Sequence, residues 1–400
     1  MLPQRTSDYT HAIDIQTSAP YTSAVDPRSK HATWVEVDLA AIEGNARALV
    51  ALTNARLMAV VKANGYGHGA VETARAAARG GAAWFGVARP EEALELRDSG
   101  IEDPILVLGP APGDSLEPLV AREISITVCN SDHIASAARA AQSLDSTAKV
   151  HLKLDTGMSR LGAAPSEAAS LARRIGDSDS ISLEGVFTHF ARADEPEAPT
   201  NREQLRRFDD ALSQLVADSL RPPMVHAANS AAVFTLKDAH FDMVRVGIAL
   251  YGLQPSKEWS LPGEFQPALQ WKSQLTRVRE LPAGTGVSYG QDYVTENEER
   301  IGTFSVGYGD GFRRTKGNQV LVAGKPVPVI GPVCMDLSMV QLDSIPEAEV
   351  GYEVVLIGNQ GKAAISAEQV AERWGTINYE VTCGIGLRVP RLVGYPDSSR

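Results

Sequence analysis

A lysine that follows an apolar segment is the first residue whose surroundings point to chemistry. Lys62 comes directly after residues 59–61 (AVV) and shortly before the glycine-rich run at 65–69 (GYGHG). At the carboxyl end of a buried strand an ammonium group loses hydration, which lowers its pKa and favours imine formation or proton abstraction. The alternative is a strand-end lysine whose stem packs on apolar residues while its charge reaches solvent. The glycines do not follow the order of a nucleotide-binding P-loop.

A second chemically suggestive segment spans residues 150–162 (VHLKLDTGMSRLG). Lys153 alternates with His151 and Asp155 on one side of the expected strand, and a buried ammonium group there requires a counter-charge. Arg160 follows the strand, and its planar guanidinium suits a carboxylate ligand. An ion pair at the surface is an equally good interpretation of Arg160.

Polar residues continue at the ends of later apolar segments. His189 and Asp194 follow one segment, Asn229 and Ser230 the next, and the run at 245–248 (RVGI) the last. Glycine and hydroxyl residues after the last two strands of a barrel are typical of a phosphate site built from backbone N–H groups. Taken singly, His189 fits a packed core histidine and Ser230 a helix cap. Their occurrence at successive strand ends favours a binding site.

These residues require a frame of alternating strands and helices. Eight apolar runs alternate with alanine-rich, helix-periodic segments, which predicts parallel βα units that close into a (β/α)8 barrel. The expected strands are 57–62, 83–87, 104–108, 125–128, 149–155, 183–188, 224–227 and 243–246. The expected helices are 69–79, 90–99, 131–143, 165–175 and 201–220.

The pattern changes after Gly252 to prolines, glycines and β-forming residues. Short runs of this kind predict a C-terminal, mainly antiparallel β domain, interrupted by one helix at 366–373. The expected fold class is therefore α/β, with an N-terminal TIM barrel followed by a β domain. We assign residues 1–30 to a disordered extension, 31–260 to the barrel and 261–400 to the β domain.

Composition limits the classes of function. The 400 residues carry 49 acidic and 38 basic side chains, for a formal net charge of −11, so no overall positive field favours nucleic acid or an anionic membrane. Three cysteines without paired spacing predict neither a disulfide framework nor a metal site, and they favour a reducing, cytoplasmic compartment. No apolar run is long enough for a membrane span, and residues 1–29 lack the apolar core of a signal peptide.

Seven short motifs, in order and in both expected domains, resemble those of bacterial alanine racemases. They are KANGYGHG at 62–69, DTGMSRLG at 155–162, RVGI at 245–248, VSYG at 287–290, VGYGDG at 306–311, CMD at 334–336 and TINYE at 376–380. The resemblance covers residues 33–392 and implies a pyridoxal-phosphate enzyme of fold type III. It implies a cytoplasmic homodimer that interconverts L-alanine and D-alanine and supplies D-alanine for peptidoglycan.

The resemblance places each active site between one barrel and the partner's β domain. Lys62 would bind the cofactor covalently and exchange the α-proton on the D side, while the partner subunit's Tyr289 would do so on the L side. Inversion at the α-carbon requires a base on each face of the planar intermediate, because one group does not easily reach both.

The resemblance also implies the other site roles. The cofactor would bind at Lys62, Tyr66, His189, Asn229, Ser230, Arg245, Gly247, Ile248 and Tyr379. Arg160 and the partner subunit's Met335 would orient the substrate carboxylate, and Lys153 stands where many members carry a lysine carbamylated by CO2.

Two further features concern the cofactor ring and the route of the substrate. Arg245 would face the pyridine nitrogen, where an arginine does not readily supply a proton, and His189 would connect Arg245 to the catalytic tyrosine. The substrate corridor would be lined by Asp194, Tyr308, Ile377 and an arginine at 313 or 314.

One departure and two alternatives accompany the resemblance. Alanine racemases commonly have an arginine where this sequence has Pro332. Proline is smaller and uncharged, so a wider substrate corridor is an alternative, and racemisation of serine is the corresponding alternative activity. A barrel-type decarboxylase is disfavoured, because Arg245 replaces the carboxylate that such enzymes place near the ring nitrogen. A non-catalytic cofactor carrier is disfavoured by the presence of a second domain with Tyr289.

Overall fold

A computed structural model describes residues 31–394, and the predicted extension over residues 1–30 lies outside this range. The described chain begins with strand β1 (Thr33–Val37) and helix α1 (Leu39–Ala51), and eight parallel strands then form a barrel. These are β2 (Arg56–Val60), β3 (Trp84–Val87), β4 (Ile105–Val107), β5 (Ser125–Val128), β6 (Ala148–Lys153), β7 (Ile181–Phe187), β8 (Met224–His226) and β9 (Met243–Val246).

The barrel strands lie side by side in chain order from β2 to β8, and β9 pairs with β2. Backbone hydrogen bonds join the two remaining edges: the Asp242 N–H donates to the Val225 carbonyl at 3.0 Å and the Arg245 N–H to the Ala228 carbonyl at 2.9 Å. Each of these strands overlaps one of the eight apolar runs. The predicted barrel is therefore confirmed.

Helices surround the barrel because one face of each is apolar. In α7, Leu171, Ala172 and Ile175 are buried while Arg173 and Arg174 are exposed. A short segment α2 (Lys62–Tyr66) follows β2 and is a left-handed turn. The helices from there to the end of the barrel are α3 (Ala70–Arg79), α4 (Pro90–Asp98), α5 (Leu116–Ala121), α6 (Ser131–Ser143), α7 (Ala168–Gly176), α8 (Pro199–Ala217) and α9 (Ser230–Thr235). Short 3-10 turns lie at Gly113–Ser115, Pro165–Glu167, Lys237–Ala239 and Ile248–Tyr251.

The second domain is built on a nine-stranded sheet that includes β1. Its other strands are β10 (Leu269–Leu281), β13 (Glu299–Phe304), β14 (Gln319–Val322), β15 (Lys325–Ile330), β16 (Ser338–Gln341), β17 (Glu353–Gln360), β18 (Ala363–Ile365) and β19 (Arg391–Val393), with a separate hairpin of β11 (Gly286–Val287) and β12 (Tyr293–Val294). The strand order in the sheet is β18-β17-β14-β15-β16-β13-β10-β1-β19. An additional pairing of β17 with β10 curls the sheet on itself. The predicted β domain is confirmed.

Strand β1 belongs to this sheet and not to the barrel. It pairs antiparallel with β10, with Thr33 opposite Ser273 and Val37 opposite Leu269, and parallel with β19. The sheet therefore includes residues from the segment 31–260 that the sequence analysis gave to the barrel. Because its partners lie more than 200 residues further along the chain, no local pattern marks this pairing.

Two helices follow β18, where the sequence predicts one. Helix α10 (Ala367–Trp374) is capped by Ser366, whose hydroxyl accepts a hydrogen bond from the Gln369 N–H. Helix α11 (Asn378–Cys383) has only six residues and was not predicted. Further 3-10 turns lie at Tyr289–Gln291 and Tyr308–Asp310. Within residues 31–394, no helix is long and apolar enough to cross a membrane.

Candidate active site

Lys62 begins a left-handed turn at the carboxyl end of β2. The φ angles of Ala63, Asn64, Gly65 and Tyr66 are 53, 54, 61 and 52°, a conformation that costs roughly 1–2 kcal/mol for each L-residue other than glycine. Glu92 in α4 holds the turn, because its carboxylate accepts a hydrogen bond from the Ala63 N–H at 2.6 Å. Burial, and then the charge of Arg160, lower the pKa of Lys62.

A narrow cradle lies between this turn and the end of β9. A Cβ atom at Gly247 would lie 2.2 Å from the Tyr66 hydroxyl oxygen, so only glycine fits beneath that hydroxyl. The Ser230 hydroxyl accepts a hydrogen bond from the Gly247 N–H at 3.0 Å, and Asn229 caps α9. Ile248 begins a 3-10 turn, whose first N–H groups have no acceptors within the turn. Hydroxyl and backbone N–H groups in this arrangement suit a phosphate.

Tyr379 lies beside the cradle on α11. Its ring centroid is 6.1 Å from that of Tyr66, and burial followed by the charge of Asp194 raises the pKa of Tyr379. The helix is held in place by Asn378, which donates to the Gln254 carbonyl at 2.9 Å. Ile377, just before this helix, is 51% exposed.

Arg245 is buried in the barrel at the end of β9. Its Nη2 donates to the Thr188 carbonyl at 2.7 Å and lies 3.1 Å from the Nδ1 of His189, while its Nη1 lies 3.1 Å from the Nδ1 of His226. Since a guanidinium group only donates, both histidines accept at Nδ1. Burial lowers the pKa of Arg245. Burial also lowers the pKa of His189, and the charge of Arg245 lowers it further.

Four cationic side chains surround this space without an acidic partner. Among residues 31–394, Lys62, Lys153, Arg160 and Arg245 make no ion pair with a carboxylate within 4.0 Å. Lys153 is only 6% exposed, its Nζ donates to the Leu108 carbonyl at 3.4 Å, and burial followed by the charge of Arg245 lowers its pKa to about 8. Such a cluster requires anionic ligands. The cradle and the cations together fit pyridoxal phosphate and an amino-acid carboxylate.

Three of the remaining predicted residues form an exposed group on the β domain, whereas Asp194 is exposed in the loop between β7 and α8. Tyr289, Tyr308 and Met335 are 68, 46 and 53% exposed. Their loops are tied together, since the Gly309 N–H donates to the Met335 carbonyl at 2.9 Å and the Ser288 hydroxyl to the Pro332 carbonyl at 2.7 Å. Across the described part of the chain, the Tyr289 side chain makes no hydrogen bond or ring contact. The predicted link from His189 to Tyr289 is therefore not made within one chain.

The sequence pattern gives no role to three residues that organise the site. Glu92 holds the Lys62 turn, and His226 and His151 extend the hydrogen bonds of Arg245 into the barrel. Both histidines lie on barrel strands, where successive side chains alternate between the interior and the exterior. This alternation is the sequence signal that places them inside the barrel. Glu92 carries no comparable signal, because an acidic residue in a first helical turn is common.

Fold and site together define a two-domain barrel enzyme whose strand ends carry cationic and hydroxyl side chains suited to anionic ligands. The profile of the alanine racemase N-terminal domain matches residues 37–255, and that of the C-terminal domain matches residues 268–393. An alanine racemase of Symbiobacterium thermophilum is 47% identical over 365 residues, which are 90% of this chain and 97% of that protein. The chain belongs to the alanine racemase family, whose members are pyridoxal-phosphate-dependent isomerases.

Solved structures agree with this assignment. The crystal structure of alanine racemase from E. faecalis is 40% identical in sequence and superposes with a TM-score of 0.87, covering 91% of this chain and 99% of that chain. The alanine racemase of the D-cycloserine producer Streptomyces lavendulae is also 40% identical, with a TM-score of 0.86, and covers 91% of this chain and 97% of that one.

Proposed function

We propose that this chain is a homodimeric alanine racemase that uses pyridoxal phosphate, with Lys62 and the partner subunit's Tyr289 as its two bases. The observation that carries the proposal is the Tyr66–Gly247 cradle together with four cations that have no carboxylate partner within residues 31–394. Lys62, one of the four, has a lowered pKa. This arrangement accepts an anionic cofactor and an anionic substrate together. The decarboxylase and carrier alternatives are not favoured.

The cofactor would lie between the cradle and Arg245. Its phosphate would be held by Tyr66, Ser230, Gly247, Ile248 and Tyr379, with Asn229 capping the helix that carries Ser230. When bound and linked to the amino acid, pyridoxal phosphate withdraws electrons and makes the α-proton acidic. Arg245 would hold a fixed positive charge at the ring nitrogen without giving up a proton. This limits electron withdrawal and favours return of the proton to the α-carbon.

The two bases would act from opposite faces. Lys62, whose pKa is lowered by burial and by Arg160, is able to take the α-proton once its amine is free. Tyr289 is exposed, and within residues 31–394 its side chain makes no hydrogen bond or ring contact, which suits a residue that enters the partner's site. His189 accepts from Arg245 at Nδ1, so its Nε2–H is left to donate to the oxygen of the partner's Tyr289.

Arg160 and the N–H of the partner's Met335 would orient the substrate carboxylate. Lys153 would assist Arg160 after reaction with CO2, in which the amine nitrogen bonds to the carbon of CO2 and releases one proton. A carbamate there would replace a buried cation with an anion beside Arg160 and Arg245. Asp194, Tyr308 and Ile377 would border the substrate corridor.

The product would serve peptidoglycan synthesis, as the family resemblance implies. We place the reaction in the cytoplasm, because Cys129, Cys334 and Cys383 are free thiols, which a reducing compartment maintains.

The deciding experiment measures deuterium incorporation at the α-carbon together with the ratio of the two alanine enantiomers. The protein is incubated in D2O with pyridoxal phosphate and L-alanine, and chiral chromatography with mass spectrometry should show D-alanine carrying one deuterium at the α-carbon. Lys62→Ala should abolish the exchange, whereas Lys362→Ala, at an exposed lysine of the β17–β18 hairpin, should leave it unchanged. Release of CO2 or pyruvate, or no exchange by the wild-type protein, would refute the proposal. L-serine run in parallel tests the corridor at Pro332.

A further inference from the structure

A chain of hydrogen bonds runs through the barrel interior from Arg245 toward the amino-terminal ends of the strands. The Nη1 of Arg245 lies 3.1 Å from the Nδ1 of His226. The Nε2 of His226 lies 2.8 Å from the Nδ1 of His151, and the Nε2 of His151 lies 3.2 Å from an Oε atom of Glu184. Ser125 donates to the same carboxylate oxygen.

The chemistry of its first member fixes the direction of the whole chain. Arg245 only donates, so the Nδ1 of His226 accepts and its proton is on Nε2. His226 then donates to the Nδ1 of His151, whose proton is likewise on Nε2 and is donated to Glu184. Burial lowers the pKa of both histidines, which keeps them neutral. Every bond therefore points from the guanidinium to the carboxylate.

A β-bulge in β7 places Glu184 next to His151. Val150 lies opposite Leu183 and His151 opposite Gly185, so Glu184 is the extra residue of a β-bulge in β7, a feature that re-aims a side chain. A Cβ at Gly185 would lie 2.2 Å from the Nδ1 of His151, and only glycine leaves room for that ring. The bulge and the glycine both serve the contact between Glu184 and His151.

Packing also restricts the two rings. Phe187 stacks on His226 with centroids 4.7 Å apart and an interplanar angle of 6°, and Trp84 packs edge-on against His151 at 5.5 Å. Both histidines are completely buried, whereas the side chain of Glu184 is 20% exposed. Because this packing restricts rotation of the two imidazole rings, the remaining variable is which nitrogen of each ring carries the proton.

We propose that Glu184 is a positioning residue that acts through His151 and His226 to fix the orientation of the Arg245 guanidinium. The inference rests on the proposed role of Arg245 at the ring nitrogen. If His151 lost its acceptor at Nε2 and moved its proton to Nδ1, His226 would accept at Nε2 and present an N–H to Arg245. Two donors would then face each other in a buried site. Glu184 prevents this by accepting at the far end.

Neutron diffraction from crystals of the perdeuterated holoenzyme tests the chain directly, whether or not the enzyme turns over. We expect deuterium on the Nε2 of both His151 and His226 and none on either Nδ1. Deuterium on the Nδ1 of either ring would overturn the proposal. If the wild-type protein failed to racemise alanine, the proposed function would be refuted, but the deuterium positions would still test the direction of the hydrogen-bond chain.

Variants test the consequence for Arg245. Glu184→Met keeps the side-chain length and removes the acceptor, and we expect about a tenfold fall in kcat, equivalent to roughly 1.4 kcal/mol, with KM for alanine unchanged and a shifted absorbance maximum of the bound cofactor. Glu184→Gln retains an acceptor oxygen and should recover most of the activity. Glu123→Gln removes a carboxylate paired with Lys149 outside the chain and should match the wild type.

A Glu184→Met enzyme with the wild-type kcat and cofactor spectrum would contradict the proposal, as would an equal loss of kcat in Glu123→Gln. If the Glu184→Met variant does not fold, the Glu184→Gln variant still tests the positioning role of Glu184. The positions of deuterium in crystals of that variant should match those of the wild type, and a proton moved to Nδ1 of His151 would show that an acceptor oxygen does not set the direction.

Discussion

At the scale of single residues, the contact between Gly247 and Tyr66 sets the size of the proposed phosphate cradle. Gly247→Ala would place a methyl group 2.2 Å from the Tyr66 hydroxyl and push the two apart. We expect cofactor affinity to fall by about tenfold or more, a loss of roughly 1.4 kcal/mol, measured by absorbance titration of the resolved enzyme with pyridoxal phosphate. Gly44→Ala, in α1 with no atom within 4 Å of the new methyl group, is the matched control. Equal cofactor affinities for the two variants would show that the Gly247–Tyr66 contact does not contribute to phosphate binding.

Lys153 gives a prediction that depends on pH. Its pKa of about 8 lies below the ordinary 10.5, so the neutral amine that reacts with CO2 becomes abundant as the pH rises through 8. At fixed dissolved CO2, CO2-depleted enzyme should regain activity roughly fivefold faster at pH 8 than at pH 7 because of the larger neutral fraction. ¹³C NMR with labelled CO2 should show a carbamate signal that is absent in Lys153→Arg. A response to CO2 in that variant would place the effect elsewhere.

At the scale of elements, the left-handed turn after β2 holds strain that a glycine would remove. Ala63 is exposed and has a φ of 53°, so Ala63→Gly should raise the free energy of unfolding by about 1 kcal/mol. Ala135→Gly, in the ordinary helix α6, should lower it by about 1 kcal/mol. Denaturant unfolding at one protein concentration measures both, and a decrease for both variants would show that the turn is not strained at Ala63.

Elements differ in how much the sequence reveals of them. The eight barrel strands are predictable, because a parallel strand covered on both faces is a short apolar run between helices. Strand β1 is not, since its partners are distant in the chain, and α11 is too short to show a helical period. The motifs predict Lys62, Arg245 and Tyr289 as site residues, and the structure places Lys62 and Arg245 at the carboxyl ends of barrel strands. The contact between Glu184 and His151 escapes notice because it depends on a β-bulge that no residue pattern marks.

At the scale of the whole molecule, the proposed sharing of sites between subunits predicts complementation. Lys62→Ala and Tyr289→Phe should each lack racemase activity, yet a hybrid dimer contains one site with both Lys62 and Tyr289. Random mixing makes half of the dimers hybrids with one intact site in two, so about a quarter of the wild-type activity should return. Native mass spectrometry confirms that hybrids form, and each variant mixed with itself is the control. Hybrids without activity would show that sites are not shared.

The pairing of β1 with β10 and β19 also has a consequence for synthesis on the ribosome. β1 is made before the barrel, and its partners β10 and β19 are made after it. At about 5–20 residues per second, its two edges remain open for some tens of seconds while the barrel is translated. The barrel is able to fold in that interval, whereas the β domain has to wait for its last strand. A nascent chain arrested before residue 269 should therefore expose β1 to chaperones and proteases.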